Sequence, residues 1–338
     1  MPEGRGRTGL LDVAQLAGVG LATVDRVLNE RGNVSPATAR RVIEAARQLH
    51  LKRVLPRPYL RRVRIEVLLA QPDPPFLGRL TAGFNTLAAT LDRAVIIQRT
   101  TLAGAAPAKV AARLRGSAAD AVILYSEDHP EIAAVIDALA AAGRPVISMV
   151  TDVSRARSRF AYVGIDNVKA GRTAGFLAAR LARRPGAALV LTNSTGFRAH
   201  LDRIEGFRTG LAREAPEMPV AAVLEGRDED DRAARLVRKA LADHPGVVAL
   251  YNTGGAVAPV ASVLRRFGKP GDLVYIGHEL SPGNAELLRE GVLTVAIDQA
   301  FELQARRAVE ILLHRLGYLD SPPAAAEVPF TLHTRENA

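Results

Sequence analysis

The chain has 338 residues, 48% of them hydrophobic, so it is long enough for two or three domains and a sizeable core. It contains no cysteine, which excludes a disulfide framework, a thiolate zinc site and a cysteine nucleophile. Net charge is +10, and no unbroken apolar run approaches the ~18 residues of a membrane span. The opening MPEGRGRTGLLDVAQ is basic but has no apolar stretch, so no signal peptide is expected and the cytoplasm is the default compartment.

The charge is unevenly spread. Twelve Lys and Arg stand against five acids in the first 63 residues, so +7 of the +10 lies there. A basic head on a nearly balanced body is the pattern of a polyanion-binding module joined to something else.

In the head, Thr8 is placed to cap a helix whose Leu10, Val13, Ala14 and Ala17 form one apolar stripe. Gly18-Val19-Gly20 stops it with a tight turn. A second helix follows, with Val24, Val27 and Leu28 inward and Leu21, Ala22, Thr23, Asp25, Arg26 and Asn29 on its other face. After the turn NERGN, Ser35-Pro36 reads as N-cap and first helical position, and Ala39, Val42, Ile43, Ala46 and Leu49 line a third helix. Helix, short glycine turn, helix is the geometry that lays a second helix in the major groove of DNA. On that geometry Leu21 and Ala22 offer apolar contacts such as to a thymine methyl, Thr23 holds a phosphate, and Arg26 reaches a guanine edge or a phosphate. A small helical protein-docking domain is the rival reading, but it does not require the basic excess.

The next stretch, LKRVLPRPYLRRVRIEV, has Pro56 and Pro58, which break a helix. It is read as a linker over residues 55–63, with Arg61, Arg62 and Arg64 available to phosphates.

From Val63 onward short apolar strands alternate with amphipathic helices. The strands are RIEVLLA, AVIIQRT, AVILYS, PVISMV, AALVLTN, PVAAVLE, VVALYN, LVYIGH and LTVAID. Helices between them include Leu77–Leu91, Glu131–Ala142, Ala170–Arg183, Ala199–Arg213, Asp230–Ala242 and Phe301–Leu316. Near-continuous apolar strands flanked by helices indicate parallel sheets covered on both faces. The run is too long for one sheet, so two doubly wound subdomains are expected, with ligand beyond the carboxyl ends of the strands. Asp166, in YVGIDN, falls midway and reads as a crossover residue.

No catalytic signature accompanies this layout. There is no phosphate loop, HEL at His278 lacks the second histidine of a zinc-protease helix, and no G-x-S-x-G elbow occurs. YNTGGAVAPV places glycines between a strand and a helix, where amides hold an anion or simply make a βα turn. The chain is read as a non-enzyme that calls for no cofactor and no metal.

LLDVAQLAGVGLATVDRVLNERGNVSPATARRVIEAARQLHL resembles the DNA-binding domain of the lactose-repressor (LacI/GalR-type) family. The body resembles the periplasmic sugar-binding type I fold that forms the effector domain in that family, most clearly in YVGIDNVKAGRTAG, RIEGF, YIGHEL and TVAIDQ. The resemblance implies an all-α helix-turn-helix head over residues 1–54 and an effector-binding and dimerisation domain over 64–338. Its first α/β subdomain spans about 64–165 plus 298–322, the second about 166–297 plus 323–338. It implies that Leu21, Ala22 and Arg26 read operator DNA, that Thr23 and Asn29 support backbone contacts, and that Leu60 is the candidate minor-groove wedge. Asp25 departs from the family's usual serine, and beside phosphates it needs Arg26 or Arg31 to neutralise it, or a cytosine amino group to bond.

Carried over the same way, the effector contacts are Phe76, Glu127 or Asp128, Asp152, Arg203, Asn252, Glu279 and Gln299. Each has a structural alternative: a helix cap for the acids, a pair with Glu205 for Arg203, a turn for Asn252. Ring stacking falls to Phe76, Phe197, Tyr162 or Tyr251, because tryptophan is absent. The ligand implied is a sugar, polyol or sugar acid, since carboxylates accept from hydroxyls and arginine donates in pairs. The expected protein is a repressor-type regulator and, with no appended leucine heptads, a homodimer reading a palindrome. The rival is a transport-type sugar-binding protein, which has no use for a basic head.

Overall fold

The computed structural model describes residues 9–51, 62–70, 74–91, 94–268, 271–319 and 325–338, with the side chains of residues 36–37 and 74–77 outside that description. Leu60, Pro56, Pro58 and Thr8 therefore lie outside the described residues. The helical head lies in one compact unit and nearly all of the α/β body in a second.

The head is three helices: α1 (Leu10–Ala17), α2 (Leu21–Leu28) and α3 (Pro36–Gln48). Gly9 is the N-cap of α1, and the Asp12 carboxylate reaches back to accept from its N–H at 2.7 Å. Gly18 ends the helix in the left-handed region at φ 62°, which a side chain rarely adopts. Ser35 caps α3 by accepting from the Thr38 N–H at 3.2 Å. Val13, Val24, Val27, Leu28, Val42 and Ile43 close one small core between the three helices.

The body holds β1 (Val63–Ala70), α4 (Pro74–Thr90), β2 (Val95–Leu102), α5 (Pro107–Arg115), β3 (Ala121–Tyr125), α6 (Pro130–Ala141), β4 (Val146–Met149) and β5 (Ala161–Val163). These make a five-stranded sheet in the order β2-β1-β3-β4-β5. Then come α7 (Asn167–Leu181), β6 (Ala187–Thr192), α8 (Arg198–Glu214), β7 (Val220–Glu225), α9 (Asp230–Asp243), β8 (Val247–Asn252), α10 (Val257–Phe267), β9 (Val274–His278), α11 (Pro282–Arg289), β10 (Val295–Asp298), α12 (Phe301–Arg315) and β11 (Thr331–His333). Their strands form a six-stranded sheet in the order β11-β10-β9-β8-β6-β7. Apart from β11, which runs antiparallel to β10, both sheets repeat one doubly wound order, second-first-third-fourth-fifth. This is the two-lobed parallel-sheet body expected from the strand and helix alternation. Two short strands escape that alternation, β5 and β11.

In the second lobe, apolar residues cover both faces of the sheet. Val237, Val260, Leu264 and Leu288 pack on one face, and Ala174, Phe207 and Leu211 on the other. On that second face α7 and α8 touch backbone to backbone. A Cβ at Gly171 would overlap the Arg203 carbonyl, and one at Gly206 the Val168 carbonyl. Gly175 and Gly210 are interlocked with α8 and α7 in the same way. Among the described residues no helix is long and apolar enough to cross a membrane.

Candidate DNA-reading head and ligand cleft

Leu21, Ala22 and Arg26 are exposed on one side of α2, Leu21 by 45%, while Thr23 is half-buried. A leucine left that open on a helix whose opposite side is fully packed is available to a partner. Asp25 shares this side, and its charge is already answered: Arg31 Nη1 lies 2.8 Å from Oδ2 and Asn29 Nδ2 donates to Oδ1 at 2.6 Å. Asn29 also donates to the Asp25 carbonyl, so its amide organises the end of the helix. Of the alternatives for Asp25, the structure supplies Arg31 as the neutralising partner.

In a doubly wound sheet, ligands gather beyond the carboxyl ends of the strands, where the order reverses. Those ends carry strained backbone. Val150, Glu279 and Ala300 follow β4, β9 and β10 with φ of 69°, 72° and 51°. Non-glycine residues pay for that conformation, and such residues concentrate at functional sites.

Arg203 is the centre of this region. It is 3% exposed and does not pair with Glu205. Its Nε donates to Asn167 Oδ1 at 2.8 Å, Nη1 to the Thr253 carbonyl at 2.7 Å, and Nη2 to Gln299 Oε1 at 2.8 Å. The three acceptors come from the start of α7, the end of β8 and the end of β10. The α7–α8 glycine contact brings Asn167 and Arg203 within bonding range. Asn167 in turn donates to the Tyr162 hydroxyl at 3.0 Å, which caps carbonyls at Val150 and Ile165.

Gln299 turns its amide nitrogen to Glu279, and its backbone carbonyl accepts from Gln304 at 2.9 Å. Burial, together with the neighbouring Asp298 carboxylate, pushes the Glu279 carboxyl up from its ordinary 4.5 to about 8, against the pull of Gln299 and Arg79. Burial also works to raise Asp298, but bonds from Arg79 and from the Leu280 and Ala300 amides outweigh it and hold it low. His278 is buried beside Tyr251, 2.8 Å from its hydroxyl, and burial and Arg203 keep it neutral. His200 is lowered to about 4 for the same two reasons.

The remaining sequence-nominated residues are dispersed. Glu127 accepts from Ser194 at 3.1 Å, which joins the end of β3 to the loop after β6. Nearby, Phe197 stacks on Tyr125 with centroids 5.2 Å apart, and Ala199 N–H donates to Thr151. Asp128 bonds Ser154 and the Arg155 amide. Asp152 is held by Ser148 and Arg159 and lines a cleft of about 410 Å³ with Tyr162, Asn167 and Arg198. Asn252 closes the βα turn, donating to Gly255 and accepting from Gly254. Phe76 lies in the first turn of α4, its side chain outside the description. Asp166 caps α7 by accepting from Lys169 at 2.8 Å.

Three contributors were not singled out as effector residues from the sequence: Asn167, Thr253 and Arg79. Thr253 takes part through its carbonyl, which no residue type announces. Asn167 stands one residue after the crossover Asp166 and was signalled only by that position. Arg79 of α4 contacts Asp298 at 2.6 Å and Glu279 at 3.0 Å.

A helix-turn-helix head on a two-lobed, doubly wound body defines a DNA-binding transcriptional regulator. The chain belongs to the periplasmic binding protein domain family, whose model matches residues 65–317, and it carries a head of the bacterial regulatory protein lacI family over residues 9–52. It is similar to the HTH-type transcriptional regulator CelR of Thermobifida fusca, at 26% identity over 99% of each chain. A second relative is the HTH-type transcriptional regulator DegA of Bacillus subtilis, at 24% identity over 81% of this chain and 82% of that one. Among solved structures, GanP, a glucose-galactose binding protein from Geobacillus stearothermophilus, superposes with a TM-score of 0.73. That match has 22% identity and covers 81% of this chain and 98% of GanP, which shows the shared fold.

Proposed function

We propose that this regulator is a cytoplasmic repressor of the genes near its operator, working as a homodimer and released or engaged by a sugar-like effector held between its two lobes. Leu21, Ala22 and Arg26 meet base edges, and Thr23 and Arg31 meet the backbone. Two heads read a palindrome whose half-sites lie about one helical turn apart. The effector is bound by Arg203, Gln299 and Glu279, with Asp152, Glu127 and the Phe76 region on the facing lobe. Asn252 acts on this site through the turn it closes. The assignment includes no catalytic step.

The observation that carries the reading is Arg203. A buried guanidinium bonded to three separate elements at the strand ends is costly to assemble, and it presents its remaining N–H donors in a fixed orientation. A polyhydroxylated ligand supplies acceptors for them and hydroxyl donors for Glu279. Ligand shifts the balance between lobe arrangements only to the extent that it binds one of them better.

Two measurements test this. Genomic fragments captured by the full-length protein should share one palindromic site. Thermal shifts of the same protein with a panel of sugars, polyols and sugar acids should single out a stabilising ligand, since stabilisation follows mass action. Binding to DNA without sequence preference, or no stabilisation by any member of the panel, refutes the corresponding half.

A further inference from the structure

Arg79 is rooted in the first lobe. Its guanidinium lies over the Phe301 ring, 5.2 Å from the centroid, and Nη2 is 3.3 Å from Glu302. Both residues begin α12, which packs against α4 where Gly83 meets the Glu302 backbone. From this seat Nη1 reaches two carboxylates at strand ends of the second sheet, Asp298 at 2.6 Å and Glu279 at 3.0 Å. Both carboxyls share one guanidinium nitrogen, Asp298 held ionised by it and Glu279 raised by burial and by that neighbouring charge. Arg79 is the cation in contact with both.

The other oxygen of Glu279 accepts from Gln299, and the Gln299 side-chain oxygen accepts from Arg203. Arg79 and Arg203 are thus the two ends of one continuous relay, Arg79–Glu279–Gln299–Arg203. Its first link spans the two lobes and its last lies in the proposed ligand site.

We infer that Arg79 is a positioning residue that latches the first lobe onto Glu279 and Asp298 and so couples lobe closure to occupancy of the effector site. The inference rests on the reading that effector binds at Arg203, Gln299 and Glu279. A ligand bonding any of these changes the hold Glu279 has on Arg79, and by reciprocity the latch changes ligand affinity by the same factor. Separating the lobes takes the guanidinium from the ionised Asp298 and removes the hydrogen bond it donates to Glu279, which is why the latch favours the closed arrangement.

The absence of native cysteine allows a ligand-free test on the full chain. Cysteines placed at the exposed Ala108 on α5 and Ala242 on α9, one per lobe, carry spin labels whose separation reports closure. With Arg79 intact, one narrow distance is expected. Arg79→Gln should broaden the distribution and lengthen its mean, and Arg79→Lys, which keeps the charge, should restore most of the short population. An unchanged distribution in Arg79→Gln overturns the inference. Should that variant not fold, Asp298→Asn removes the shorter contact and carries the same criterion.

A second arm adds D-glucose, D-galactose and D-arabinose in turn, reading thermal shift and operator affinity by fluorescence anisotropy. A sugar that stabilises both wild type and Arg79→Gln should change operator affinity only in wild type. Coupling of the usual size, about 5- to 150-fold, then falls close to unity in the variant. An Arg79→Gln protein that responds like wild type overturns the coupling. If none of the three sugars stabilises wild type, the effector reading fails for those sugars while the label distances still decide the latch.

Discussion

The head and the body place their charged groups in opposite surroundings. In the head, Arg26 on α2 and Arg31 just after it stand in solvent, and Asp25 holds Arg31 without burying it. In the body, Arg203 and Asp298 are withdrawn from water and Glu279 is half-buried beside them, each bonded in a fixed direction. The difference teaches how one chain serves two ligands. Exposed charge suits long-range attraction to a polyanion, whereas the buried groups are donors and acceptors already held in fixed directions.

Salt separates the two regions most sharply. Operator affinity should drop about 10³-fold or more between 50 and 200 mM salt, as counterion release requires for a protein making several phosphate contacts. Effector affinity of the same preparation, followed by calorimetry, should stay nearly flat. A flat operator curve would point to a head that docks on protein.

Next in size is Arg203→Ala. It leaves the Asn167 and Gln299 side-chain oxygens and the Thr253 carbonyl without their donor, at a cost of about 3 kcal/mol to the body. Urea unfolding should show that loss, and the effector response should vanish while operator affinity without effector holds. A normal response removes Arg203 from the site. Arg26→Ala should weaken operator binding by about 1–3 kcal/mol and relax preference at one base pair, read by binding to a set of single-base operator variants. Uniform weakening would reassign Arg26 to phosphate.

The body also has a pH signature. Glu279 holds a proton more tightly folded than unfolded, so folded protein binds more protons between its ordinary 4.5 and about 8. Its contribution is complete below that window and is lost as pH rises through it. Glu279→Gln should flatten the fall in melting temperature as pH rises from 4.5 to about 8. The smallest effect is expected from Asp25→Ser, which frees Arg31 and should shift operator affinity by about 1 kcal/mol or less, as for other exposed pairs.

Much of this organisation is legible in the sequence, and the exceptions have physical causes. Nine strands announce themselves as apolar runs; seven of them are almost wholly buried, while the edge strands β2 and β7 hold no buried residue. β5 and β11 are three residues long and half-buried or exposed in part, too short for a period to register. Arg203 and Gln299 are legible through the motifs around them. Arg79 is not, since its partners lie 200 and 219 positions away and one arginine in a basic chain carries no mark of its destination. Asn252 shows the converse: its place at a strand end suggests a ligand contact, while its amide is occupied by the adjacent turn.

The four glycines at the α7–α8 seam set a limit on redesign. Because not even a methyl group fits there, the distance from Asn167 to Arg203 is fixed by main chain touching main chain and does not depend on which side chains surround it. Retargeting the protein to a different small molecule can therefore vary the loops that follow the strands, while this hard seam preserves the register against which any new contact must be built.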